Sequence, residues 1–220
     1  MFQEIFKMAN VMAENDGLKV MLERLAHVED NIHSKQLMIV LLKLFGYCVK
    51  VRKNREKMLD PNLKTIPTLL KCVKLCLRST AQDSAIGSQG QNLSEEVLQI
   101  MEKLLVEATT KQNTIEIYCN FASNGVFKED IQELLEHAVN LKAGTTLHQS
   151  LLRVLPFLTY ANEDKMALII KHFEDILDFD HFNANHGPDE EAKMEAFVAL
   201  CEGIERNEIG NTMKSTMNKM

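Results

Sequence analysis

Residues 37–48 read LMIVLLKLFGYC, and this stretch carries the pattern that decides the fold. Its apolar residues recur at i, i+3, i+4, i+7 and i+11: Leu37, Val40, Leu41, Leu44 and Cys48. That spacing gathers the side chains on one face of an α-helix. The sequence therefore predicts a helix that buries this face against a neighbouring element.

The same spacing recurs along the chain. Further stripes are Leu18, Met21, Leu22, Leu25; Ile66, Leu69, Leu70, Val73; Val97, Met101, Leu104, Leu105, Ala108; Ile131, Leu134, Leu135, Ala138; Leu151, Val154, Leu155, Leu158; Met166, Ile169, Ile170, Phe173; and Met194, Phe197, Val198, Cys201. The offset from Leu18 to Ile66 is 48 residues, near the ~40–47-residue period of HEAT and armadillo repeats. We predict an all-α fold, an armadillo/HEAT-like α-solenoid of roughly nine helices, with a compact helical bundle as the alternative.

The domain organisation follows from where the helical pattern is interrupted. We expect armadillo-like helical repeats over residues 1–78, a flexible loop over the polar, glycine-containing residues 79–93, and further repeats over residues 94–209. Residues 210–220 are expected to form a disordered or truncated tail, and the chain to be a fragment, a split gene model or a short paralogue. Asp60 before Pro61 predicts a helix start, and Ser94 before two glutamates predicts another.

Composition narrows the function classes. The 220 residues are 45% hydrophobic and carry a net charge of −6, which argues against general nucleic-acid binding. No apolar run approaches the ~20 residues of a transmembrane helix, and no secretion signal opens the chain. Five scattered cysteines suggest no disulfide framework. We expect a cytoplasmic, intracellular protein with buried, reduced cysteines.

Residue chemistry predicts no catalytic site and no cofactor. Cys72 and Cys76 lie four apart without a nearby histidine, so a structural zinc site is not expected. Residues 178–189 crowd aspartate, histidine and asparagine together, but glycine is missing where a calcium loop requires it. No phosphate-binding loop, nucleophile elbow or zinc-protease motif occurs. Whether the chain has any enzymatic role is left open.

One basic cluster is the candidate partner-binding site. Its members are Lys50, Arg52, Lys53, Arg55 and Lys57. We interpret them as the end of a long apolar helix that begins near Lys35. Such a basic amphipathic helix can bind calmodulin or a membrane surface. The alternative is a core helix whose last turns are solvated, because cations are favoured at a helix C-terminus.

Three segments carry a family resemblance. Residues 8–18 (MANVMAENDGL), 40–55 (VLLKLFGYCVKVRKNR) and 178–186 (DFDHFNANH) resemble the giant E3 ubiquitin ligases of the Purity of essence, Pushover, calossin and BIG family. The resemblance runs from near residue 5 to about residue 207 and is confined to scaffold motifs of the armadillo-like part.

The resemblance implies a function that the residues do not show. In that family a zinc-binding UBR box recognises destabilising N-terminal residues, a further zinc-containing module transfers ubiquitin, and calmodulin is a partner. The zinc ligands of both modules are missing here, so zinc is implied only for modules absent from this chain. We expect a scaffold that binds ubiquitin-pathway components or substrates. The alternative is a freestanding armadillo-type adaptor without ligase activity.

Overall fold

The computed structural model describes residues 2–82, 87–109, 128–141, 145–159 and 163–172. Within these ranges there are nine α-helices, one 3-10 turn and no strand, which confirms the all-α prediction. The helices are α1 (Phe2–Glu14), α2 (Gly17–Ala26), α3 (Ile32–Val49), α4 (Arg52–Met58), α5 (Thr65–Gln82), α6 (Gly87–Thr109), α7 (Lys128–Asn140), α8 (Thr146–Leu158) and α9 (Glu163–His172). The armadillo/HEAT repeat type stays a prediction.

The chain divides into two compact units, residues 1–104 and 105–220. The first unit contains α1 to α5, and α6 begins there and ends in the second unit, which also contains α7 to α9. None of the described helices combines the length and hydropathy needed to cross a membrane.

In the first unit, α2 packs against α1, α3 and α5, and α1 also packs against α3. The predicted stripes of α2 and α5 are buried as expected: Leu18, Met21, Leu22, Leu25, Ile66, Leu69, Leu70 and Val73. These residues form the centre of the core, and their burial is the main source of stability because apolar area leaves water.

The predicted buried face of α3 is wrong. Leu37, Val40 and Leu44 are exposed, and only Cys48 of the predicted stripe is buried. The helix instead buries a neighbouring face, about a quarter turn around its axis, which carries Met38, Leu42, Phe45 and Val49. α3 is apolar on nearly all sides, so its periodicity predicts a helix but cannot choose which face turns inward.

Two tight joints fix how the first helices follow one another. Asp16 adopts the left-handed conformation with φ of 58°, and a Cβ on Gly17 would lie 2.6 Å from the carbonyl oxygen of Met12. Only glycine fits there, because the contact is with backbone atoms, which cannot move aside.

The second joint lies before α5. Asp60 Oδ1 accepts a hydrogen bond from the Asn62 amide at 3.0 Å, and Pro61 opens the 3-10 turn Pro61–Leu63, which confirms the predicted start.

The predicted loop over residues 79–93 is wrong where the structure describes it. α5 continues through residue 82 and α6 begins at residue 87, while residues 83–86 lie outside the described ranges. The segment contains no proline, and alanine and glutamine are good helix formers, so its polarity does not stop a helix. Ser94 is likewise not a cap: it is buried within α6, where its side chain bonds the Cys76 thiol.

In the second unit, α7 packs against α8 and α9. The predicted stripes of α7 and α8 are buried: Ile131, Leu134, Leu135, Ala138, Leu151, Val154, Leu155 and Leu158. Thr145 caps α8 by accepting a bond from the His148 amide. The stripe from Met194 to Cys201, the cluster over residues 178–189 and the tail over residues 210–220 lie outside the described residues.

Candidate partner-binding surface

The five predicted cations do not end the long helix. α3 stops at Val49, Val51 has an extended backbone with φ of −93° and ψ of 119°, and α4 starts afresh at Arg52. Lys50 therefore lies in a joint and the other four lie on a separate helix of seven residues. The prediction of one continuous basic amphipathic helix is wrong.

Asn54 and Arg55 explain why α3 ends where it does. The buried Asn54 donates from Nδ2 to the carbonyl oxygens of Cys48 at 3.2 Å and Ala9 at 3.3 Å. Arg55 Nη1 donates to the Val49 carbonyl oxygen at 2.9 Å. The last carbonyls of a helix have no partner within it. Arg55 supplies a partner to the Val49 oxygen, and Asn54 adds one to the Cys48 oxygen, which also accepts from the Val51 amide at 3.1 Å. Arg55 therefore stabilises the fold rather than offering a free charge.

The other four cations of the cluster are exposed. The Lys50 Nζ lies 5.0 Å from the centroid of the Tyr47 ring. Arg52 pairs with Glu56 at 3.6 Å, and Lys53 pairs with Glu14 of α1 at 3.4 Å. Exposed pairs of this kind contribute about 1 kcal/mol or less.

Lys53 and Lys57 line a hollow of about 760 Å³ together with Asp16, Glu56 and Asp60. Carboxylates therefore stand beside the lysines, and the surface around α4 has mixed charge. A count of cations along the sequence overstates the basic character of this surface, because it leaves out the carboxylates that lie nearby in space.

A second surface was missed by the sequence analysis. Leu37, Val40, Leu44 and Tyr47 have exposed fractions of 48%, 56%, 37% and 40%. They follow one another at i, i+3, i+7 and i+10 along α3, so they form one row, called here the α3 apolar face. Isolated exposed apolar residues are ordinary, but a contiguous row is typical of an interaction site.

The described cysteines are unsuited to metal binding or nucleophilic chemistry. Burial raises the pKa of Cys72 to about 12 and that of Cys76 to about 11, and it also raises the pKa of Cys48. Thiolates are the reactive and ligating form, and burial disfavours them. Within the described residues no group of three or more His, Cys, Asp or Glu side chains is arranged to hold a metal ion.

Comparison with known proteins identifies the family of this chain. The family model for the E3 ubiquitin-protein ligase UBR4 TPR-like domain matches residues 7–220. The chain belongs to this family. Membership confirms the resemblance that residues 8–18 and 40–55 indicated. The family's description names a TPR-like repeat, another helical-hairpin architecture than the armadillo type predicted from the period.

Relatives of the family occur across distant eukaryotes. The chain is 37% identical over 214 residues to protein purity of essence of Drosophila pseudoobscura pseudoobscura. It is 24% identical over 222 residues to a probable E3 ubiquitin-protein ligase of Dictyostelium discoideum, and 23% identical over 239 residues to the auxin transport protein BIG of Oryza sativa subsp. japonica. These matches cover 95–97% of the chain but only 4–5% of the relatives. No solved structure matches the chain.

Proposed function

We propose that the chain is a helical-repeat scaffold segment of a giant E3 ubiquitin ligase of the N-degron pathway, acting in the cytoplasm. In this role it positions substrate or partner proteins for ubiquitin transfer. Ubiquitin transfer itself, and the zinc that it needs, belong to other modules of such a ligase. Membership of the UBR4 TPR-like family supports the ligase context.

The observation that carries the scaffold role is the α3 apolar face. The free energy of transfer from water favours covering four large apolar side chains in one row. A surface of this kind serves protein contact rather than catalysis. Burial raises the pKa of Cys72 to about 12 and that of Cys76 to about 11, so neither thiol is a nucleophile at neutral pH.

The test uses the long ligase that contains this segment. Leu37, Val40 and Leu44 are replaced together by serine, and the half-life of a reporter with a destabilising N-terminal residue is measured in cells. We expect the half-life to lengthen while the amount of ligase stays constant. A matched variant replaces the exposed Lys7, Asn10 and Gln36 by serine and leaves the half-life unchanged. An unaltered half-life in the apolar-face variant would count against the scaffold role.

The alternative is a freestanding adaptor that has no ligase activity. It is separated from the scaffold by the size of the native product, detected with an antibody raised against the described residues. The chain has a mass of 25.1 kDa and covers 4% of its fly relative, so a ligase gives a band of several hundred kilodaltons. A band near the mass of the chain, with partners recovered but no ubiquitin machinery, favours the adaptor.

Calmodulin is a second proposed partner, and it rests on the family resemblance. A calmodulin target would have to expose the apolar residues of α3, yet Leu42 and Phe45 are buried in the first unit. A labelled peptide of residues 35–59 and the folded chain should therefore differ. We expect calcium-loaded calmodulin to bind the peptide at least tenfold more tightly than the folded chain. Equal affinity would show that the exposed cations suffice.

A further inference from the structure

A groove runs between α3 and α6 within the first unit. It consists of two hollows of about 440 and 240 Å³ that share Lys43 and Glu96 as lining residues. Ile39, Leu42, Leu93 and Ile100 supply apolar lining. From Ile39 to Lys50 the groove follows about three helical turns, a length of roughly 16 Å at 1.5 Å per residue.

Gly46 helps to keep the groove open. A Cβ at this position would lie 3.6 Å from Ile100 Cδ1, which is an ordinary contact, so alanine would fit. Glycine inside a helix is less stabilising than alanine, because it loses more backbone freedom on folding. The position therefore gives up helix stability and retains empty space at the groove, as expected if something else fills it.

The rim of the groove is cationic. Lys43, Lys50 and Lys103 are exposed and line it, against one exposed carboxylate, Glu96. None of the three ammonium groups forms an ion pair with a described residue. The Lys50 ammonium rests on the Tyr47 ring, at 5.0 Å from its centroid. An occupant that brings carboxylates would therefore complement this rim.

The α3 apolar face adjoins the groove, because Tyr47 belongs to both. An occupant must thus offer apolar side chains to α3 and carboxylates to the lysines. A groove between two helices suits a rod, and an amphipathic helix is the element that carries an apolar stripe beside a charged one. A flat bilayer surface would reach the apolar face but leave the groove unfilled.

We propose that the groove between α3 and α6 binds an acidic amphipathic helix of a partner protein. The apolar stripe of that helix packs on the α3 apolar face and in the groove, and its carboxylates meet Lys43, Lys50 and Lys103. This inference rests on the proposed scaffold function and gives the chemistry of the partner that the scaffold holds.

The probe is a fluorescein-labelled peptide of about 15 residues, built from leucine at helical spacing and glutamate elsewhere, and titrated with the 220-residue chain. Anisotropy should show saturable binding. Replacing every glutamate by glutamine should weaken binding about tenfold, because the ion pairs with the lysine rim are lost. Scrambling the leucine positions should weaken binding by about the same factor, because the apolar stripe is lost. Equal binding of the glutamine peptide would overturn the charge complementarity.

Chain variants locate the site. Lys43→Glu, Lys50→Glu and Lys103→Glu together should weaken binding at least tenfold, whereas Lys7→Glu, Lys19→Glu and Lys171→Glu, also exposed, should change it less than threefold. Gly46→Leu should fill the groove and abolish binding, with circular dichroism confirming that it folds, while Gly46→Ala should retain most binding. Equal losses in both lysine sets would reduce the interaction to diffuse attraction and overturn the proposal.

Two other occupants are distinguished in the same assay. Vesicles of phosphatidylserine and phosphatidylcholine that displace the peptide completely, through the same three lysines, would overturn the proposal in favour of a membrane surface. Sedimentation that shows self-association, lost in Gly46→Leu, would do so in favour of a second copy. The assay contains no ubiquitin machinery, so failure here leaves the reporter test of the scaffold role untouched.

Discussion

Helices α3 and α5 each contain 18 residues, yet their sequences specify their orientation to different degrees. In α5 the less buried positions Pro67, Lys71, Lys74 and Arg78 follow one another at helical spacing and mark the outer side. In α3 the corresponding outer row is largely apolar. The difference shows that the orientation of a helix is determined more by polar residues on its outer side than by apolar residues on its inner side.

The largest expected effect comes from comparing two neighbouring residues of α3. Phe45 is completely buried and Leu44 is exposed. Phe45→Ala should lower the free energy of unfolding by about 3–5 kcal/mol through loss of burial and creation of a cavity. Leu44→Ala should change it by about 0.5 kcal/mol. Urea unfolding followed by circular dichroism measures both, and similar losses would mean that both faces of α3 are covered.

A smaller effect is expected at the end of α3. Asn54→Ala removes the two buried bonds that Asn54 Nδ2 donates to the carbonyl oxygens of Cys48 and Ala9. We expect the free energy of unfolding to fall by about 1–3 kcal/mol, because each hydrogen bond contributes about 0.5–1.5 kcal/mol. Arg52→Ala on the exposed side of α4 is the control and should be near neutral. Urea unfolding measures both variants. An unchanged free energy of unfolding in Asn54→Ala would contradict the role of Asn54 in ending the helix.

Helix α8 extends the comparison, because it is buried along most of its length, as α3 would be if its apolar face were covered. His148 lies in it at 4% exposure, its Nδ1 has no partner among the described residues, and burial lowers its pKa below 6.5. The unfolded state therefore binds more protons, so stability is full above about pH 6.5 and falls as the pH drops below that value.

Hydrogen exchange of α8 amides between pH 7.5 and 5.5 measures this loss. His148→Leu should remove the His148 contribution to the pH dependence over that interval. A variant that retains the full pH dependence would assign it to another group.

The smallest stability effect is expected on the α3 apolar face itself. Val40→Ser should change the free energy of unfolding by about 0.5 kcal/mol or less, because its side chain already meets water. The same change should reduce any tendency of the chain to associate, measured by light scattering at increasing concentration. Val73→Ser on the buried face of α5 is the matched contrast and should be strongly destabilising.

Periodicity predicted α2, α5, α7 and α8 together with their buried stripes, because these helices carry polar residues on one side. It could not predict the orientation of α3. It also missed the end of α3, since residues 48–51 contain neither glycine nor proline. That end is enforced by Asn54 and Arg55, which come after it in the chain and act through space.

The candidate site was predicted in the same partial way. The cations were found as a run in the sequence, and the structure divides them by environment. Arg55 turns to the carbonyl of Val49, while Lys50 turns to the Tyr47 ring. A linear run gives residue types but not the direction of each side chain, and direction decides which charges reach a partner.

The buried thiols of Cys48, Cys72 and Cys76 can report how often the helices of the first unit open. A thiol-specific dye can react with them only when α3 or α5 opens, so the rate of labelling at neutral pH reports how often each helix leaves the core. With Cys119 and Cys201 changed to serine, the signal comes from these three alone. A partner bound to the α3 apolar face should hold α3 in place and slow the labelling of Cys48. The labelling rate of a buried thiol would then measure binding at the surface of the unit.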